Sequence, residues 1–553
     1  MECLIISVIL ILCEFSQSLA DPVVSIPNGK IRGTELKTNS NNSYFAFWNI
    51  PYGQPPLGRN RFQAAEPAKS WTGIRDGTQE GNSCIYMNSF SFYPNPGVQD
   101  EDCLYISVYT PDLNISSNLP VMFWIYGGGF RAGSGFRAGS GVFRFYGPQN
   151  LIDEKVIVVT FNYRLGPLGF LSTGDHVIPG NAGLKDQLLA LQWTKSNIKY
   201  FGGDPNMITI FGESAGGMSV GLHLVSEKSK GLFRAAICHS GCTLSTTLSL
   251  DPKSFIYNYT HSINPNITEA NSTEELRSFL VDVEPKTLMS YALQVDQHLF
   301  VPVLEPPSDG AFLKEPLYGL VESGKINGEA LLIGTNSEES LAFISQKKLL
   351  PLAKLYDRNM TMLLPAQTEL KNNVDILEAC DFIKNIYLSG REQFQDNLAK
   401  FLGYYSDNEF VRASLKQIQL QSKFQKVYAY RFSFYGTTSE TRDYLVDGAG
   451  KVGHFSELSY LFNMTQYPLK TEEDDLVRRK FAKLWANFAT YLDLAPEETP
   501  LLDNVMLPRS TPEFTYLLNI DKNLSVMVNP QKERMISWSK YWEKFVQEPF
   551  TTF

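Results

Sequence analysis

The sequence predicts an α/β fold with a large, mostly parallel central sheet flanked by helices, and three observations predict it. Segments 121–126 and 156–161 are continuous apolar runs of strand length, without the alternation of a half-exposed hairpin, as central strands covered on both faces require. Segments 183–199 and 216–225 carry apolar residues at helical spacing. The run 207–211 breaks directly into Gly212-Glu213-Ser214-Ala215-Gly216, the pattern of a strand, a tight turn and a helix. Strands separated by helical segments form parallel sheets, which present their binding loops at the strand C-terminal ends.

Taken from the N-terminus, residues 1–20 have the form of an export signal. An apolar core at 4–13 is followed by Ser18-Leu19-Ala20, a small-x-small cleavage pattern just before Asp21-Pro22. The core is short for a membrane span and Glu14 interrupts it. No later stretch has a spanning length, and the closing residues carry no tail of the lipid-anchor type, so a secreted, extracellular chain without an integral membrane segment is expected. Cleavage removes Cys3 and Cys13 and leaves Cys84, Cys103, Cys238, Cys242 and Cys380. Cys84 and Cys103 are expected to pair around a polar loop, a closure worth roughly 3 kcal/mol in the loop-entropy model. The pairing of the other three is open, and their spacing does not resemble that of a zinc site. Sequons at Asn41, Asn114, Asn258, Asn266, Asn271, Asn359, Asn463 and Asn523 predict an exported glycoprotein.

The 553 residues leave room for several domains, but no linker divides them, and one large domain over 21–553 is predicted. The 49 basic and 58 acidic residues give a net charge of -9, and no basic stripe with interleaved aromatics occurs, which argues against nucleic-acid binding. Segments 330–333 and 427–432 add two further strands, and 475–491 is an amphipathic helix behind an acidic lead-in that suits its positive end. The region 240–328 reads as irregular and glycan-bearing, and 350–426 as mainly helical. Both are expected to be insertions that wall a gorge above the sheet.

The chemistry begins at Ser214, whose flanking glycines permit a turn that holds the hydroxyl outward. Tyr126-Gly127-Gly128-Gly129-Phe130 follows a predicted central strand, so its amides emerge at the same sheet edge. Gly128, Gly129 and the amide of Ala215 are the expected oxyanion donors. Six histidines can supply a base: His176, His223, His239, His261, His298 and His454. Chain order and a glycine-containing loop favour His454. The acid that would orient it lies in Gly334-Thr335-Asn336-Ser337-Glu338-Glu339, where the residues alone leave Glu338 and Glu339 equal.

With these parts placed, the chain resembles the carboxylesterase and cholinesterase family, in particular the secreted type-B carboxylesterases of insects. The resemblance rests on Glu101-Asp102-Cys103-Leu104, Gly127-Gly128-Gly129-Phe130, Asn162-Tyr163-Arg164-Leu165-Gly166, Phe201-Gly202-Gly203-Asp204-Pro205, Gly212-Glu213-Ser214-Ala215-Gly216 and Gly453-His454. It implies an α/β-hydrolase fold with long helical and loop insertions forming an active-site gorge, Glu339 as the acid, His454 as the base, and the Cys84–Cys103 pair. It also implies a serine carboxylic-ester hydrolase that cleaves small apolar esters through an acyl-enzyme, with no metal and no cofactor, as a monomer or homodimer. Glu213 and Phe130 are expected at the substrate pocket. Tyr126 stands before the glycines, as in cholinesterases. The 84–103 loop lacks tryptophan, which disfavours recognition of quaternary ammonium. Insect hormone esterases resemble one another in carrying glutamine at the position of Glu213, so a juvenile-hormone-like lipid esterase is the alternative. A catalytically idle adhesion protein is the alternative from another class.

Overall fold

The computed structural model describes residues 21–86, 98–133, 146–295, 300–438 and 444–553. The predicted signal at 1–20 and His298 lie outside them. Eleven strands form one sheet: β1 (Thr34–Lys37), β2 (Ser43–Pro51), β3 (Tyr105–Thr110), β4 (Leu119–Ile125), β5 (Ile157–Phe161), β6 (Gly203–Glu213), β7 (Ala235–His239), β8 (Ala330–Asn336), β9 (Lys426–Phe432), β10 (Tyr516–Ile520) and β11 (Ser525–Val528). Their spatial order is β11-β10-β9-β8-β7-β6-β4-β5-β3-β2-β1. Strands β4 to β10 are parallel, and antiparallel strands close both flanks. The predicted α/β sheet is therefore present, with all five expected strands inside its parallel part. A small sheet of Val23–Ile26, Gly29–Arg32 and Ile74–Asp76 lies apart.

The apolar runs are buried because helices cover both faces. Met122, Phe123, Trp124 and Ile125 of β4 and Ile157, Val158 and Val159 of β5 are fully buried. Helix α1 (Ala182–Asn197) and helix α2 (Ala215–Val225) match the helical spacing of the sequence. They are joined by Gln187 Nε2 donating to Ser219 Oγ at 3.0 Å. Helices α3 (Leu398–Ser406) and α4 (Arg412–Gln421) come from the mainly helical insertion. Helix α5 (Glu472–Tyr491) starts earlier than predicted, since Thr471 and Asp474 form a capping box and all four acidic residues fall in its first turn. Helix α6 (Lys532–Phe545) follows the last strand.

The region 240–328 is more regular than the sequence suggested. It contains helices Pro252–Ile263, Thr273–Asp282, Pro285–Ala292 and Leu317–Glu322. Asp251 caps the first by accepting from Ser254 N, Ser272 and Glu275 form a capping box on the second, and prolines open the first and third. These caps, together with buried Phe255, Tyr259, Leu276, Leu280 and Leu288, outweigh the polar composition. Cys84 and Cys103 form a disulfide, and Cys238, Cys242 and Cys380 are free and buried. Asn41, Asn114, Asn258, Asn266, Asn359 and Asn523 are exposed, whereas Asn271 and Asn463 are partly covered. Among the described residues no helix is long and apolar enough to cross a membrane.

Connections from β4 run to β5 on one side, and those from β6 run to β7 on the other. The loops after β4 and β6 thus flank a topological switch point, the place where such sheets bind ligands. The segment after β5 is fixed by a buried ion pair, Arg164 Nη2 to Asp186 Oδ1 of α1 at 2.7 Å, with Arg164 Nη1 donating to the Arg61 carbonyl. Asp186→Ala leaves that guanidinium buried and unpaired, and denaturant unfolding is expected to show a loss of about 3 to 5 kcal/mol. A loss below about 1 kcal/mol would contradict it.

Candidate active site

Ser214 occupies the turn between β6 and α2 at φ 57° and ψ -126°, a conformation that costs a side-chain-bearing residue on the order of 1–3 kcal/mol. It is held there from both sides. Its amide donates to the His239 carbonyl at 2.9 Å, and its carbonyl accepts from Met218 N at 2.8 Å. In the sheet register Gly212 pairs with Ile125 and Glu213 with His239, so Ser214 emerges beside the glycine loop that continues β4. A Cβ on Gly127 would lie 2.9 Å from Ser214 Cβ, and one on Gly216 would strike the Ile125 carbonyl. Only glycine allows this approach of loop, strand and helix.

Gly128 and Gly129 have φ of 109° and 63°. Among the described residues their amides donate to no acceptor. Ala215 opens α2, where the first amides have no intrahelical partner. The three predicted oxyanion donors thus belong to the loops on either side of the switch point. Phe130 is 2% exposed, with its ring 5.0 Å from Phe170.

The two adjacent glutamates separate, as neighbouring residues do. Glu339 Oε2 meets His454 Nδ1 at 2.6 Å, while Glu339 Oε1 accepts from Ser240 Oγ and Asn336 N, each at 2.6 Å. Glu338 turns the other way and accepts from Ser406 Oγ at 2.5 Å and Gly450 N at 3.2 Å. Both carboxylates are buried, so the pair is not a solvated acidic loop. The turn and the His454 loop are further joined by Glu338 N to the Val452 carbonyl at 2.9 Å and Asn336 Nδ2 to the Gly453 carbonyl at 2.7 Å.

The imidazole is 5% exposed and packs against a pair of rings, Phe410 at 4.5 Å and Phe343 at 5.0 Å, which stack on each other at 5.8 Å. Phe410 comes from a π-helical turn, Asp407–Val411, inserted between α3 and α4. Glu213 Oε1 is 3.0 Å from His454 Nε2, yet the two atoms are out of line and form no hydrogen bond. The contact is an electrostatic one, and Nε2 has no hydrogen-bond partner among the described residues. Burial pushes His454 down, but the Glu213 and Glu339 carboxylates outweigh it and hold the imidazole above its usual range. Burial raises Glu213 in turn, against the opposing pull of His454.

The other described histidines serve elsewhere. His223 is buried against Ser229 and Gln187, and burial lowers it to about 3. His239 Nε2 accepts from Trp485 Nε1 at 2.9 Å, leaving Nδ1 to face Glu457 Oε1 at 3.4 Å. His176 and His261 are exposed. Sequence reasoning missed Ser240, Asn336, Glu457, Phe343 and Phe410. Each is distant in the chain from the motif it supports or lacks a motif of its own. Among the described residues no group of His, Cys, Asp or Glu has a metal-holding arrangement.

The carboxylesterase family model matches residues 20–538. Juvenile hormone esterase of Tribolium castaneum is 32% identical over 529 residues, covering 88% of this chain and 86% of its own length. Pyrethroid hydrolase Ces2e of Rattus norvegicus is 33% identical over 502 residues, covering 87% and 84%. The crystal structure of juvenile hormone esterase from Manduca sexta, with OTFP covalently attached, is similar with a TM-score of 0.83 at 26% identity. It covers 95% of this chain and 100% of that one.

Glu213→Gln removes the negative charge facing Nε2 while keeping the shape. In an NMR titration the His454 pKa is expected to fall by on the order of 1 unit. An unchanged value would show that Glu213 does not raise the affinity of the imidazole for its proton.

Proposed function

The chain belongs to the carboxylesterase family and is a carboxylic ester hydrolase, and on that basis we propose that Ser214 is its nucleophile, His454 its general base and Glu339 the acid that orients the base. The observation that carries this reading is the buried 2.6 Å contact between Glu339 and His454 Nδ1, next to a serine held at positive φ. Glu339 keeps the proton on Nδ1, leaving Nε2 to receive the Ser214 proton as the hydroxyl attacks an ester carbonyl. The amides of Gly128, Gly129 and Ala215 receive the oxyanion, and each such donor is worth about 3 kcal/mol in the transition state. The imidazolium then protonates the leaving alcohol, and a water deprotonated at Nε2 releases the acid from the acyl-enzyme.

Several features support a neutral, apolar ester as substrate. Phe343 and Phe410 pack against the imidazole, and the 84–103 loop has no tryptophan to face a quaternary ammonium group. The export pattern at 1–20, the Cys84–Cys103 disulfide and six exposed sequons support a secreted glycoprotein whose mature chain is one domain over 21–553.

A fluorophosphonate is expected to label the folded protein at Ser214 and not the Ser214→Ala variant, as read by mass spectrometry of peptides. In parallel, neutral short-acyl esters should be hydrolysed faster than choline esters. An unlabelled Ser214, or faster turnover of the choline ester, would overturn the respective part of the reading. Preferential turnover of a long terpenoid methyl ester would favour the hormone-esterase alternative.

A further inference from the structure

A cavity of about 580 Å³ lies behind the turn that carries Glu338 and Glu339. It is lined by Ile333, Ala429 and Leu517 from the sheet and by Leu415 and Ile418 from α4. Ser214, Glu339, His454 and the glycines of the β4 loop do not line it. Its volume falls within the range of small-molecule sites.

The two sides of β9 explain how a cation comes to face this space. Tyr428, Tyr430 and Phe432 point toward α5, where their rings meet Phe488 at 6.2 Å, Trp485 at 5.0 Å and Phe481 at 5.3 Å. Alternation along the strand then puts Ala429 and Arg431 on the opposite side, among the cavity's lining residues. Arg431 is only partly exposed. Its guanidinium donates weakly, through Nε and Nη2 at 3.3 Å each, to the single Oδ1 of Asn519, and among the described residues it forms no ion pair. Burial lowers its pKa, against the opposing pull of the Asp521 carboxylate.

The remaining charged groups of the cavity are already engaged or stand at its rim. Glu338 accepts from Ser406, Ser340 and Gly450, and burial raises its pKa. Asp407 is paired with Arg534 at 3.0 Å and accepts from Tyr387 Oη at 2.8 Å. Lys400 pairs with Glu392 outside the cavity, and Lys451 is exposed. Four cations therefore face two satisfied carboxyl groups, and among the described residues the Arg431 guanidinium, beside an apolar wall, forms no ion pair and has only the more distant Asp521 charge opposite it.

We propose that this cavity is a second ligand site, distinct from the ester-cleaving centre, for a monocarboxylate with a short apolar chain. The carboxylate takes the Nη1–Nη2 edge of Arg431, whose Nε–Nη2 edge faces Asn519, and the chain lies along Ile333, Ala429 and Leu415. A single unpaired guanidinium matches one carboxylate better than a phosphate, which would call for more donors. The Glu338 side of the cavity is hydrogen-bonded to the loop of His454, so the cavity adjoins the turn that carries Glu339.

The test is calorimetric titration of the full wild-type chain with octanoate, and separately with 1-octanol at matched concentration. One saturable octanoate site should involve Arg431, so Arg431→Gln weakens it by about tenfold or more, and 1-octanol should not reproduce it. Thermal unfolding and circular dichroism check that Arg431→Gln folds. Where it does not, the comparison of octanoate with 1-octanol on the wild-type chain decides. Absence of saturable octanoate binding, undiminished binding to folded Arg431→Gln, or equal binding of 1-octanol would each overturn the proposal.

Discussion

The contact on which the site depends is the buried one between Glu339 and His454. An imidazole and a carboxylate in a dry interior are costly unless every polar atom is answered, and here the second carboxylate oxygen is answered by Ser240 and Asn336. Ser240 follows β7, Asn336 ends β8, and His454 comes from a loop beyond β9. One carboxylate thus ties together the C-terminal ends of three neighbouring strands, and its position is set by their parallel register. The same register puts Ser214 and the glycine loop on the other side of β7, at the switch point.

A second constraint is steric. The serine turn, the glycine loop and α2 approach so closely that side chains at Gly127 or Gly216 would collide with neighbouring atoms. The strain at Ser214 is sustained because its amide and carbonyl are both bonded into the surrounding structure. Rigidity in this half of the site contrasts with the electrostatic balance in the other. There, Glu213 and Glu339 flank one imidazole, and the rings of Phe343 and Phe410 pack against it.

Much of the fold could be read from the sequence because the central strands are buried on both faces and therefore appear as unbroken apolar runs. The short edge strands β1 and β11 are half exposed and left no such trace. Helices in 240–328 were missed because their caps, Asp251 and Ser272 with Glu275, resemble loop residues in composition. At the site, Ser214, the glycines and His454 carry local motifs. The choice between Glu338 and Glu339 needed either family resemblance or coordinates, since only side-chain direction distinguishes them. Ser240, Phe343 and Phe410 have no local signal at all, because their positions follow from packing between distant segments.

The most direct measurement of the central claim is a double-mutant cycle in kcat/KM with Glu339→Gln, His454→Ala and the two combined. If Glu339 acts by orienting His454, Glu339→Gln alone lowers the rate by about 10⁴-fold, and adding it to His454→Ala costs little more. Losses that add fully, or a Glu339→Gln enzyme close to wild type, would contradict the account.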